Sequence, residues 1–172
     1  MTTLKKLATS AAQQSAHGII KLLLADHDLL RTLMDKVKSQ KATPAQQMNA
    51  FAELEKTVTS HVHAEEQTFL SLLAKNPTFD DLVLEGYEEH RVHETVLAGI
   101  KKVRDTTRKV QQMKVFCEIL DHHLDEEEEK LFPRFKNYAA PSTRKKLGKK
   151  FLTARKRTNK TARQRGAARF AA

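Results

Sequence analysis

Apolar residues recur at three- and four-residue intervals through four long stretches of this chain, separated by short polar breaks. That period predicts amphipathic helices rather than strands. Ile19, Ile20, Leu22, Leu23, Leu24, Leu29, Leu30, Leu33, Met34 and Val37 mark the first helix, which runs out between Ser39 and Thr43. Thr43-Pro44 supplies an N-cap and a first helical residue for the second. This one carries Met48, Phe51, Leu54, Val58, Phe69, Leu70, Leu72 and Leu73 and stops at Asn76-Pro77. The third holds Phe79, Leu82, Val83, Leu84, Tyr87, Val92, Val96, Leu97 and Ile100 and fades between Arg104 and Thr107. The fourth spans roughly Lys109 to Asn137 on Val110, Met113, Val115, Phe116, Ile119, Leu120, Leu124, Leu131, Phe132 and Phe135. Pro133 falls late in it, where a kink or restart costs least. Short links between long helices force antiparallel neighbours. The expected fold is therefore all-α: an up-down-up-down antiparallel four-helix bundle over residues 16–140, with a short basic helix or tail over residues 141–172.

Composition fits one such domain, since 172 residues can bury a real core and 5 Gly and 4 Pro leave few breaks. No stretch approaches the ~18–20 apolar residues that cross a bilayer, and the start lacks a signal peptide's apolar run. The single Cys117 excludes an intrachain disulfide and reads as a small buried hydrophobe. A cytoplasmic protein is the expectation. No acid precedes Asp26, and Lys5, Lys6 and the Thr/Ser-containing start share part of the composition of an organellar targeting segment, without its arginines. The net charge of +10 is unevenly spread. From Ser142 onward stand Arg144, Lys145, Lys146, Lys149, Lys150, Arg155, Lys156, Arg157, Lys160, Arg163, Arg165 and Arg169 with no Asp or Glu, so the body is nearly neutral. Leu147, Phe151 and Leu152 are expected to dock the first part of this segment, leaving the chain loose after Arg157.

The chemistry lies in a repeated pattern, a lone histidine followed one helical hairpin later by His-x-x-x-Glu. His27 precedes His61 and Glu65 by the same interval, within one residue, as His90 precedes His123 and Glu127. Residues four apart sit about 40° apart around a helix, so each His–Glu pair can address one point between packed helices. His122 with Glu126 offers a second register, but the position matching Glu126 in the first half is Ala64, which favours Glu127. His63 falls on the opposite face from His61 and is expected to be solvated. His17 lies about 15 Å along the helix from His27, too far for a shared site. Glu66, Glu126, Glu128 and Glu129 read as exposed acids or as carboxylates that orient ligating histidines.

Burying four histidines and two carboxylates without a metal would cost several kcal/mol per unpaired group. A ferritin-type site needs Glu-x-x-His, and no histidine here has Glu three residues before it. A mononuclear structural zinc site takes only four ligands.

Leu24-Ala25-Asp26-His27-Asp28-Leu29-Leu30, His61-Val62-His63-Ala64-Glu65-Glu66 leading to Phe69-Leu70, Glu88-Glu89-His90, and His123-Leu124-Asp125-Glu126-Glu127-Glu128 leading to Leu131-Phe132-Pro133 together resemble the hemerythrin-like (HHE cation-binding) domain family. The likeness spans about residues 16 to 140. It implies a non-haem di-iron centre, two Fe ions with terminal histidines and bridging carboxylates, on His27, His61, Glu65, His90, His123 and Glu127. The chain departs from oxygen-carrying members on helix 3, where their second histidine, four residues after the first, is replaced by Glu94. Glu94 is then the expected further ligand, with His93 as the alternative source of a nitrogen. A carboxylate there makes a harder site that favours ferric iron and disfavours simple oxygen carriage.

The expected function is sensing, storage or detoxification of O2, peroxide, nitric oxide or iron, with weak peroxidase, catalase-like or oxidase turnover possible at such a site. A different class of function is also open: association with nucleic acid or another polyanion through the basic tail.

Overall fold

The computed structural model describes residues 18–170, with side chains described from Gly18 to Thr158. His17 and the targeting-like start lie outside the described residues. All regular structure among the described residues is helical. None of the described helices is long and apolar enough to cross a membrane.

Helix α1 (Ile19–Lys38) buries Ile19, Leu22, Leu23, Leu30, Leu33, Met34 and Val37, with Asp26 and His27 in the middle of the same face. Helix α2 (Pro44–Glu65) opens on a capping box. Thr43 Oγ1 accepts from the Gln46 N–H at 3.3 Å and Gln46 Oε1 accepts from the Thr43 N–H at 2.8 Å, satisfying two otherwise orphaned donors. The chain continues through a π-helical segment (Glu66–Leu70) and one α-turn (Ser71–Leu73). A 3-10 turn over Pro77–Phe79 then leads into helix α3 (Asp80–Lys102). Asp80 and Asp81 begin α3 and Lys101 and Lys102 end it, each charge matched to its end of the helix dipole. Asp105 caps helix α4 (Thr106–Glu126) by accepting from the Arg108 N–H at 2.6 Å, which starts α4 slightly earlier than its apolar period suggests.

Helix α4 also runs into a π segment (Glu127–Leu131), followed by Phe132–Tyr138. Pro133 is the second residue of this restarted stretch, where a missing N–H costs little. One π segment begins just after the Glu of its His-x-x-x-Glu motif and the other at that Glu, so the sequence repeat is also, within one residue, a repeat in backbone geometry. Single-turn π-bulges of this kind cluster at functional sites.

The expectation of a short C-terminal helix is corrected by helix α5 (Pro141–Phe170), whose 30 residues form the longest helix described. It stays helical past Arg157 because that stretch holds strong helix formers, Ala, Lys, Arg and Gln, and no proline. Leu147, Phe151 and Ala154 are buried, and Leu152 packs half-buried against the same cluster. The contact surface of α5 lies on α1, α2 and the first π segment.

Two apolar clusters fill the interior. One joins Ile19, Leu22 and Leu23 to Phe69, Leu70, Phe132, Phe135 and Phe151. The other joins Leu30, Met34, Phe51, Leu54, Phe116, Leu120 and Leu124. Cys117 belongs to the second, where burial pushes its thiol up to about 12 and leaves it inert. Between the two clusters runs a buried layer of histidine and glutamate.

Candidate metal centre

That layer takes side chains from all four helices of the repeat. His27, His61, Glu65, His90, His93, His123 and Glu127 are all buried. Glu65, His90, His123 and Glu127 each bring a donor atom to within 4.8 Å of the others, and His27, His61 and Glu127 do the same. Glu127 belongs to both groups. Its Oε2 lies 3.3 Å from His27 Nε2 and its Oε1 4.0 Å from His123 Nε2. Glu65 occupies the mirror position, with Oε2 at 3.5 Å from His61 Nε2 and 3.8 Å from His90 Nε2.

Four outer carboxylates aim these rings. His27 Nδ1 meets Glu128 at 2.7 Å, His90 Nδ1 meets Glu66 at 2.9 Å, His123 Nδ1 meets Glu89 at 2.7 Å and His61 Nδ1 meets Asp26 at 3.4 Å. An ionised carboxylate only accepts, so each Nδ1 carries the proton and each Nε2 presents a lone pair to the layer. The arrangement is reciprocal. Asp26 and Glu89 directly precede His27 and His90 yet orient His61 and His123; Glu66 and Glu128 directly follow Glu65 and Glu127 yet orient His90 and His27. Arg31 fixes Glu128 in turn, donating at 2.7 Å, and also reaches Asp125 and Asp121. Arg155 of α5 donates to Asp26, and the Phe151 ring stands 6.1 Å from that of His61.

The inward atoms lack partners. His27 Nε2, His61 Nε2 and both oxygens of Glu65 and of Glu127 are buried without a hydrogen bond. His90 Nε2 and His123 Nε2 face each other at 3.3 Å, two lone pairs that need a cation or a proton nearby. Each unsatisfied buried group costs about 1–3 kcal/mol. Imidazole and carboxylate donors with no thiolate suit a divalent or trivalent transition ion such as iron, and the set therefore fits a metal site.

The fields in the layer agree. Burial, and then the Glu127 charge, hold the Glu65 carboxyl well above its ordinary range. Burial also disfavours the charged form of Glu127, but His123 and His27 outweigh it and keep that group ionised. Burial lowers His61, despite the Asp26 hydrogen bond, and so keeps its ring neutral. Burial works against the charged form of His123 too, yet Glu127 and Glu89 raise it above its ordinary value.

The two candidates on α3 part company. Its buried residues are Val83, Gly86, His90, His93, Leu97 and Ile100, an alternating three-four stripe on which His93, and not Glu94, follows His90. Glu94 is exposed and outside both donor groups. The His93 ring stands 5.0 Å from His123 and 5.8 Å from Phe116, and neither of its nitrogens has a hydrogen-bond partner. Burial, and then the His123 and His90 charges, depress it to about 3, so it is neutral.

A cavity of about 40 Å³ lies beside it, lined by Val58, Val62, His63, His90, His93, Glu94 and Leu97 among others. His63, expected in solvent, is half-buried on that wall. His122 is exposed and sits 3.7 Å from Glu126, which also pairs with Lys130. Asp26 and Glu89 escaped the sequence reading as orienting groups; the acid beside each ligand was the available signal.

A family model for the hemerythrin HHE cation-binding domain matches residues 18–135, well over half of the chain. Neither a curated protein nor a solved structure matches it. The matched span contains all four helices of the repeat and every inward donor described above. The chain belongs to the hemerythrin HHE cation-binding domain family.

Proposed function

We propose that this protein is a non-haem di-iron protein that senses, stores or detoxifies O2, peroxide, nitric oxide or iron. The observation that carries the reading is the layer of inward, unpartnered donors, with each histidine Nε2 held in place by a carboxylate on Nδ1. His27, His61 and Glu127 would hold one iron, and Glu65, His90, His123 and Glu127 the other. His93 rather than Glu94 would be the further ligand, because it lies on the buried stripe of α3. The supporting scaffold is an up-down-up-down antiparallel bundle of α1 to α4, whose short links favour that order. A reduced cytoplasmic setting agrees with the one inert thiol, Cys117.

Bound iron would supply redox chemistry toward small oxidants. The chain's own residues do the rest. Glu128, Asp26, Glu66 and Glu89 fix tautomer and ring orientation, which raises the basicity of each Nε2. The flanking apolar clusters limit water. The cavity of about 40 Å³ beside His90 and His93 has room for a diatomic or a peroxide. Protein reconstituted anaerobically with two ferrous ions is expected to change its visible spectrum on exposure to O2 or peroxide and to consume one of them. A reconstituted protein that does neither refutes the redox reading.

A further inference from the structure

The strongest feature outside the metal layer is the solvent face of α5. Leu147, Phe151 and Ala154 turn one side of this helix into the core. Lys145, Lys149 and Lys156 lie within about 40° of one another on another side, at 100° per residue, and Lys146 and Lys150 extend the exposed basic surface to about 140° around the helix. All five are exposed, and no carboxylate among the described residues lies within ion-pair distance of any of them. Lys160, Arg163, Arg165 and Arg169 follow in sequence, and no acid stands anywhere in the helix.

We propose that the exposed lysine face of α5 binds the phosphate backbone of duplex nucleic acid. Charge complementarity selects this occupant. A membrane-surface helix needs an apolar face to bury among acyl chains, and among the described residues of α5 the apolar face, Leu147, Phe151 and Ala154, is already spent on the bundle. A protein partner needs apolar or aromatic anchors, and Thr153 is the main neutral residue among the exposed lysines. Phosphate contacts need only cations at intervals along a rigid element. A helix of 30 residues extends about 45 Å. The same helix reaches the metal layer with its opposite face, through Arg155 on Asp26 and Phe151 beside His61, so nucleic acid on the lysine face lies across α5 from that layer.

The test is fluorescence anisotropy of the full chain with a labelled 25-base-pair duplex between about 50 and 250 mM salt. Five phosphate contacts predict that log K falls against log salt with a slope of about −4 to −5. Replacing Lys145, Lys149 and Lys156 together by Gln should cut the slope by about 3 and weaken binding at least about tenfold at 100 mM salt. Lys75→Gln with Lys102→Gln, two exposed lysines away from α5, should leave it unchanged. Circular dichroism confirms that each variant is folded. Absence of duplex binding at 50 mM salt overturns the proposal, as does unchanged binding by the triple variant. Binding to phosphatidylserine vesicles without binding to the duplex overturns it in favour of a membrane surface.

Discussion

Removing the charge of Glu89 should weaken metal binding more than removing that of Asp26, although each orients one histidine. Glu89 meets His123 Nδ1 at 2.7 Å, a short charge-assisted hydrogen bond. Burial disfavours its ionised form, yet the hydrogen bond and charge of His123 prevail and lower its pKa. Asp26 stands 3.4 Å from His61 Nδ1 and shares its carboxylate with Arg155. In Glu89→Gln the amide can still accept from Nδ1–H, but without the charge, and its NH2 group can instead favour the wrong tautomer. Loss of such an outer carboxylate costs 10- to 100-fold in metal affinity, about 1.4–2.7 kcal/mol. Glu89→Gln should fall in the upper part of that range and Asp26→Asn at tenfold or less. Anaerobic competition for ferrous iron against a chromophoric chelator measures both, with circular dichroism as a check on folding. A Glu89→Gln protein within twofold of the parent, or a larger loss in Asp26→Asn, refutes the assignment of the outer carboxylates.

Replacing His93 by Leu should stabilise the metal-free protein by about 1–3 kcal/mol in urea unfolding, since a buried unpartnered imidazole leaves the core. The same change should weaken iron binding, while Glu94→Gln should alter neither quantity. The opposite ranking would return the site to Glu94. Phe151→Ala empties a fully buried position where α5 meets the bundle and should cost about 3–5 kcal/mol; a loss below 1 kcal/mol would contradict that docking. Iron affinity should rise with pH, because Glu65 and His123 hold their protons to higher pH than in water and metal must displace them. Chelator competition at pH 6 and pH 8 reads this, and a flat profile would contradict it. Acid should also destabilise the metal-free fold. Burial works against Asp26, but His61 and Arg155 lower its pKa, so the stability it contributes is present above about pH 3.8 and is lost as pH falls through the lowered value.

Much of this was legible in the residues. The apolar period marked α1 to α4, Thr43-Pro44 marked a helix start, and the equal spacing of the two His-x-x-x-Glu motifs identified six inward donors. The fourth-residue spacing that places Glu65 and Glu127 inside does not carry over to α3. There the apolar stripe through Val83, Leu97 and Ile100 turns His93 inward and Glu94 outward, and that stripe was readable. The acids beside each ligand were readable too, but not their partners, since Asp26 and Glu89 reach across to other helices. The π segments Glu66–Leu70 and Glu127–Leu131 depend on how neighbouring helices seat the extra residue, and no local propensity announces them. The length of α5 turned on the helix-forming strength of a basic run that charge alone would assign to a solvated tail.

Quantifying iron per chain in protein purified from iron-supplemented cells, alongside a variant with His27 and His90 both replaced by Ala, addresses the di-iron reading itself. The reading predicts two irons per chain, lost from the variant while helical content is retained. One iron or none in the folded parent, or two irons retained by the variant, would contradict it.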